Sequence, residues 1–532
     1  FFIYKETKLN MQLNKKISFI ILFFALLVIF KMDYRYLNEL KCCGDDFDYY
    51  SHAYTISVDF DFDYSNQLIA NHPETMNFNG KIAPRGFVGS GILASPFLFI
   101  GNIFDEILKD SIVSYKIIFY SLSPVFYMLL TLNFLVKSLH DLNKKPNNFL
   151  IMLIILGSGL SFYAFERYSM THVYEAFIVT LIFYIVVKIN NDIKKKNLFL
   201  SLLPFVLALG FLVRSTNYYI IFLPYLFQKL FFMNKLITQK SSILVGVSSI
   251  FSGLFFYFIN QSVYGRFLFN PTIMYGESER FKNYIENINS IPSFISYNFN
   301  IFKNLIFTQE FGLLWFNPIV LVGFLISLYY LFKRGNTLVG MLLVLSYLQN
   351  FAIIGIWRST ASSYGFRYLL SLVPLSIILF YTLENKKVLS NFLFMFSIFG
   401  IFSILFFEST AKTELSILPV MNSFGNEILY SNPKYLSGLF LSFFEFNAYL
   451  KIGVSSLLGA FVLKLLILLF GKSNLIDLLL ENFSQGVNDR LLNYIELMES
   501  IQIFQIVLLI IFIILSTTYL INIISFHNVK DR

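Results

Sequence analysis

THVYEAFIVTLIFYIVVKINNDIKKKNLFLSLLPFVLALGFLVRST, residues 171–216, contains two apolar runs with three lysines between them. The runs predict helices over 172–189 and 197–213. Each is close to the roughly 20 residues that cross about 30 Å of hydrocarbon. Lysine clusters between apolar runs mark the cytoplasmic side of a membrane, so Lys194–Lys196 form an inside turn. The two polar ends of the pair, His172 and Arg214, then share the opposite, outer face. A helical hairpin across a membrane satisfies every backbone group internally, which is the condition for spanning lipid.

The rest of the chain repeats this pattern. Of its 532 residues 56% are hydrophobic and 14% are charged, against about 25% charged in soluble domains. Further basic clusters lie at Lys15/Lys16, Lys144/Lys145, Lys235/Lys240, Lys333/Arg334 and Lys386/Lys387. Helices are expected near 17–36, 112–136, 148–165, 217–233, 242–260, 312–332, 336–356, 368–383, 388–407, 451–470 and 503–525 as well. The expectation is an all-α polytopic membrane protein of about thirteen transmembrane helices, with its N-terminus cytoplasmic and its C-terminus outside. The net charge of +9 is spread over inside loops and implies no nucleic-acid partner. Residues 1–10 precede Met11, so the fold argument starts after them. Ile17–Phe30 has the look of a signal peptide but is followed by KMDYRY, without a small-residue cleavage site, and reads as an uncleaved first helix. Cys42 and Cys43 are adjacent, a spacing that gives no disulfide framework.

The layout assigns 1–16 to a cytoplasmic tail, 17–407 to the main membrane region, 408–450 to an outer loop and 451–532 to C-terminal membrane helices. Within the last part, 471–502 has leucines and isoleucines at helical spacing and reads as an interfacial helix. Substantial outer segments are 44–110, 261–311 and 357–367. Gly86–Phe104 is apolar enough to span, yet a crossing there would invert every later loop. It is read as a re-entrant or interfacial segment on the outer side.

Polar residues collect on that side. Asp45, Asp46 and Asp48 lie in GDDFDYYSHA, Arg85 opens the re-entrant segment, Glu166, Arg167 and His172 form the turn ERYSMTH, Arg214 ends a helix in FLVRSTN, and Tyr364, Arg367 and Tyr368 lie in SYGFRYLL. A single arginine at a helix end is ordinary, since it reaches water cheaply. Acids and arginines from distant segments converging on one face are not. Arginines and a histidine hold phosphate, and a nearby carboxylate takes a proton as general base. Asp59, Asp61 and Asp63 alternate in VDFDFDY, but a calcium loop needs glycine where Tyr64 stands and glutamate where Ala70 stands, so a solvated acidic loop is expected.

GDDFDYYSHA resembles the acidic motif opening the first outer loop of GT-C glycosyltransferases, with Asp45, Asp46, Tyr49 and Ala53 on motif positions and Phe47 in place of proline. APRGFVGSGILASP, YAFERYSMTHVYEAF, FGLLWFNPIVL and WRSTASSYGFRYLLSLVP resemble later segments of bacterial aminoarabinose and protein O-mannosyl transferases, in order. Phe366 and Thr171 depart from the pattern where proline and serine are usual. The resemblance implies a GT-C-like fold whose first outer loop carries short juxtamembrane helices. It implies an inverting glycosyltransferase of the cytoplasmic membrane, moving a sugar from a polyprenyl-phosphate donor to a lipid, polysaccharide or protein acceptor of the cell envelope. It makes Asp45 the catalytic carboxylate, with Asp46 supporting it or helping to bind a divalent cation if one is used; no metal site is otherwise indicated. Arg85, His172, Arg214 and Arg367 become phosphate contacts, and Tyr49, Glu166, Tyr364 and Tyr368 further substrate-binding candidates.

Two other readings share the outer arginines: an envelope polysaccharide polymerase and a lipid-linked glycan flippase. A polymerase does not need the early acidic motif. A flippase places charge along the middle of its helices, where this chain has Lys464. A structural membrane protein with an accidental likeness is the remaining reading.

Overall fold

The computed structural model describes residues 44–68, 75–78, 81–109, 113–232, 239–267, 279–357, 364–413 and 435–482, apart from residue 454, together with parts of 23–37 and of 492–497. Among the described residues the architecture is helical, apart from one two-stranded hairpin and an isolated β-bridge between Glu310 and Tyr435. The elements that place the site are α1 (Gly44–Tyr54), the antiparallel strands β1 (Thr75–Phe78) and β2 (Lys81–Pro84), α2 (Val88–Leu108), α3 (Tyr115–Asp141), α4 (Asn148–Gly157), α5 (Leu160–Phe165), α6 (His172–Asn191) and α7 (Lys196–Val213). They continue with α8 (Leu223–Phe231), α9 (Gln239–Tyr264), α10 (Glu279–Asn287), α11 (Ile291–Phe307), α12 (Leu313–Phe316), α13 (Pro318–Phe332), α14 (Thr337–Trp357), α15 (Leu372–Phe380) and α16 (Lys387–Thr413).

Among the described residues seven helices are long and apolar enough to cross a membrane: α2, α3, α6, α7, α9, α14 and α16. The chain is an α-helical membrane protein. The expected spans 503–525 and most of 17–36, residues 483–502 of the interfacial segment apart from 492, 495 and 497, and Cys42 and Cys43 lie outside the described residues. Several expected spans are broken for visible reasons. The segment 148–165 forms two helices, because Gly159 turns at φ 91° and Asn317 Nδ2 donates to the released Ser158 carbonyl at 2.9 Å. The segment 217–233 opens with a 3₁₀ turn, Tyr218–Ile221, before α8. The segment 312–332 is interrupted at Asn317, ahead of Pro318.

The core is built around α6, whose span is 83% buried, whereas that of α9 is 17% buried. α6 packs against α3, α7, α8 and α15; α9 packs mainly against α7 and shows broad apolar faces at Ile250, Phe251 and Phe258. Lipid is as apolar as leucine, so close packing rather than water exclusion holds such helices together. Small residues permit it. A Cβ on Gly157 would meet Ser397 O at 2.3 Å and one on Gly400 would meet Gly157 O at 2.2 Å, so α4 and α16 cross backbone to backbone.

Residues 88–104 of the expected re-entrant or interfacial segment Gly86–Phe104 lie in one unbroken 21-residue helix, α2. Pro96 withholds an N–H from Ile92 O, and Ser95 Oγ donates to that carbonyl at 2.9 Å instead. Tyr127 OH donates to Leu93 O at 3.1 Å, and Gly101 abuts Tyr115. α2 therefore lies along the N-terminal half of α3. That half extends past the start of α6, since Ser123 of α3 meets Tyr174 of α6 at 3.0 Å.

Candidate functional site

The first turn of α1 carries Asp45 and Asp46, where the helix N-terminus favours negative charge. Adjacent residues on a helix point about 100° apart, and the two acids part company. Asp46 is buried and gripped by Arg167, whose Nη2 and Nε lie 2.7 and 3.2 Å from Oδ2. Asp45 keeps a side chain 42% exposed and faces a cavity of about 240 Å³. Tyr49, one turn on, shares that face and lines the same cavity.

Arg85 reaches the cavity through a fixed corner. Gly86 O accepts from His52 Nε2 at 3.0 Å and from Tyr264 OH at 3.0 Å. A carbonyl only accepts, so Nε2 carries the proton and Nδ1 accepts from Tyr64 OH at 2.8 Å. Burial pushes the His52 pKa down to about 4, against the pull of its bond to Gly86. The next turn is equally tight. A Cβ on Gly89 would lie 2.3 Å from Val213 N and one on Gly91 2.4 Å from His52 Cβ. This clasp sets Arg85 and Phe87 beside Arg214, whose guanidinium lies 5.7 Å from the Phe87 ring centre.

His172 and Arg214 are anchored from behind by Glu175, in the first turn of α6. Thr171 Oγ1 donates to Glu175 Oε1 at 2.6 Å, Asn217 Nδ2 to Oε2 at 2.7 Å and Arg214 Nη1 to Oε1 at 3.3 Å. His172 Nδ1 sits 3.1 Å from Oε1, off the line of a hydrogen bond, and its ring stands edge-on to Tyr163 at 4.7 Å. Arg214 also covers the Tyr368 ring at 4.3 Å. Arg367 opens the 3₁₀ turn Arg367–Leu369, reaches Tyr368 OH with Nη2 at 3.3 Å and holds Nη1 3.7 Å from Asp45 Oδ2. Burial opposes the charge on Arg367, but the oxygens of Tyr368, Tyr163 and Asp45 outweigh it and hold its pKa above the ordinary value. Burial likewise resists ionisation of Tyr368, and Arg367 with Arg214 outweighs that, holding the phenol below its ordinary range.

One cavity thus gathers Asp45, Tyr49, Arg85, His172, Arg214, Arg367 and Tyr368. It does not gather Asp46, Glu166 or Tyr364. Asp46 is turned away to Arg167. Tyr364 is buried in an aromatic cluster, its ring 4.8 Å from Phe311 and 5.5 Å from Phe407. Glu166 faces a second buried ionic group: its carbonyl accepts from Arg35, its Oε1 lies 4.0 Å from that guanidinium, and Ser456 Oγ lies 3.4 Å from its Oε2. Asp33 completes that group, 2.6 Å from Arg35 Nη2 and 3.1 Å from Ser456 Oγ.

Sequence reading missed Glu175, Asp33 and Arg35. Glu175 carried a signal, a carboxylate within an otherwise apolar span. In the acidic loop, Asp61 Oδ1 and Asp63 Oδ1 each accept a backbone N–H two residues on, at 3.0 Å. Among the described residues no three His, Cys, Asp or Glu side chains group as metal ligands.

Chemically the cavity sets one accessible acid among groups that can hold an anion. Three arginines and the N-terminus of α6 supply positive potential. No family model matches this chain, and neither a characterised protein nor a solved structure is detectably similar to it.

Proposed function

We propose that this protein is an integral membrane glycosyltransferase of GT-C type, which moves a sugar from a polyprenyl-phosphate donor to a cell-envelope acceptor on the outer face of the cytoplasmic membrane. The observation that carries the reading is the convergence of Asp45, Arg85, His172, Arg214 and Arg367, from separate chain segments, on one cavity at the end of an apolar bundle. Arg214 and Arg367 hold the donor phosphate. Exposed aromatic and aliphatic side chains beside the cavity residue Thr216, namely Tyr218, Ile221 and Phe222, give a lipid tail an apolar wall. Asp45 accepts the proton of the acceptor hydroxyl as its oxygen forms the new bond to the anomeric carbon. The bond from that carbon to the phosphate oxygen breaks on the opposite face, with inversion, and polyprenyl phosphate leaves with the electron pair. Asp46 and Arg167 keep α1 oriented.

The test is transfer of labelled sugar in membranes that contain wild type or Asp45→Asn. Loss of transfer by 10²-fold or more, with protein level and thermal midpoint kept, is expected for a general base. Transfer at the wild-type rate by Asp45→Asn ends the reading. A polyprenyl-diphosphate oligosaccharide co-purifying in place of the monophosphate sugar would favour a polymerase or flippase.

A further inference from the structure

The arginines of the cavity are neutralised unequally. Arg214 shares the buried carboxylate of Glu175. Arg367 has Asp45 as its one ion-pair partner among the described residues, held loosely at 3.7 Å. Its Nε is a buried donor with no hydrogen-bond partner. Asp45 is thus the counter-ion of the arginine on which the donor phosphate is proposed to sit.

We propose that Asp45 and the donor phosphate compete for Arg367, so that an anionic headgroup must take the guanidinium before Asp45 can serve as base. The inference rests on the reading of Asp45 as that base. A tetrahedral phosphate presents two oxygens to the fork of a guanidinium, a match that a single carboxylate oxygen at 3.7 Å does not make. Once phosphate is seated, Arg367 no longer holds Asp45, and like-charge repulsion turns the carboxylate toward the acceptor side. Binding is then ordered, donor first. In the unliganded cavity Asp45 is engaged with Arg367, which limits its activation of stray water.

The experiment titrates farnesyl phosphate, a short isoprenyl phosphate, into the full chain in lipid nanodiscs. Asp45→Asn removes the competitor and is expected to tighten binding by about 1.5- to fivefold, the range that a partly exposed ion pair supports. Arg367→Ala weakens binding, and Asp45→Asn added to it produces no further change, because the coupling runs through the guanidinium. Unchanged or weaker binding by Asp45→Asn overturns the proposal. So does equal tightening in the Arg367→Ala background, which would be a general field effect. If neither wild type nor Asp45→Asn binds the probe, the anion-site reading falls and the competition falls with it. If wild type binds and only the tightening is missing, the competition alone falls.

Discussion

Two neighbours in one helical turn, Asp45 and Asp46, have opposite surroundings, and the sequence shows only that both are acids. A carboxylate becomes reactive or structural through what it touches, and the partner of Asp46, Arg167, lies far away in the chain. Glu175 is the clearest residue-scale case. It is buried, and its carboxylate receives Thr171, Asn217 and Arg214. Breaking a buried ion pair by deleting one partner costs about 3–5 kcal/mol, because the other charge is left uncompensated. Glu175→Ala is therefore expected to lower the thermal midpoint sharply, while Glu175→Gln, which keeps one carbonyl acceptor for Thr171 or Asn217 and the side-chain volume, loses less. Equal midpoints for the two variants and wild type, by a thiol-free unfolding assay in detergent, would remove Glu175 from the account. His52 gives a pH prediction. Its folded-state pKa of about 4 lies below the ordinary value of 6.5, so the unfolded chain binds a proton that the folded chain refuses. Stability falls as pH drops from about 6.5 towards 4, by at most about 1.4 kcal/mol per pH unit from this group. The contribution is whole above pH 6.5. Thermal midpoints at pH 7.5 and 5, compared between wild type and His52→Gln, should show a shallower acid slope in the variant.

At the scale of elements, the glycines of VGSG decide where the site can form. α2 approaches the end of α7 so closely that a methyl group on Gly89 collides with backbone rather than with a movable side chain. Gly89→Ala is expected to cost about 1–3 kcal/mol, as overpacking does. It should also move Arg85 and Phe87 away from Arg214 and so weaken phosphate binding. Gly246→Ala, where nothing lies within 4 Å of the added carbon, is the matched control and should leave both properties unchanged. Legibility from sequence divides along the same line. The hairpin of α6 and α7 was readable because apolar length and a lysine turn fix it locally. The continuity of α2 was not, because glycines and Pro96 weaken the helical signal and are offset by contacts with α3, α7 and Ser95. The cavity residues were readable as types at helix ends. Their grouping depends on which ends meet, which is a tertiary fact.

Across the whole molecule, the proposed chemistry requires one sidedness. Asp45, Arg85, the start of α6 and the end of α7 meet at one end of the bundle. At the other end of the same helices Lys188 pairs with Asp141 at 2.8 Å, just before the lysine turn 194–196. A phosphate-linked donor on the outer face demands that the cavity end face outward and the lysine turn face the cytoplasm, as the distribution of basic residues predicts. Single cysteines test this in a background with Cys42 and Cys43 replaced by serine. Asp63→Cys, in the exposed acidic loop that follows α1, should react with a membrane-impermeant maleimide in intact cells. Lys195→Cys should react only after the membrane is opened. The reverse pattern would place the cavity inside, where Asp45 and Arg367 would meet cytoplasmic anions, and the donor would have to be a soluble activated sugar. Labelling of both positions in intact cells would mean that the turn and the cavity share a side. The hairpin of α6 and α7 would then lie in the membrane plane instead of crossing it, although the span of α6 is the most deeply packed of the seven.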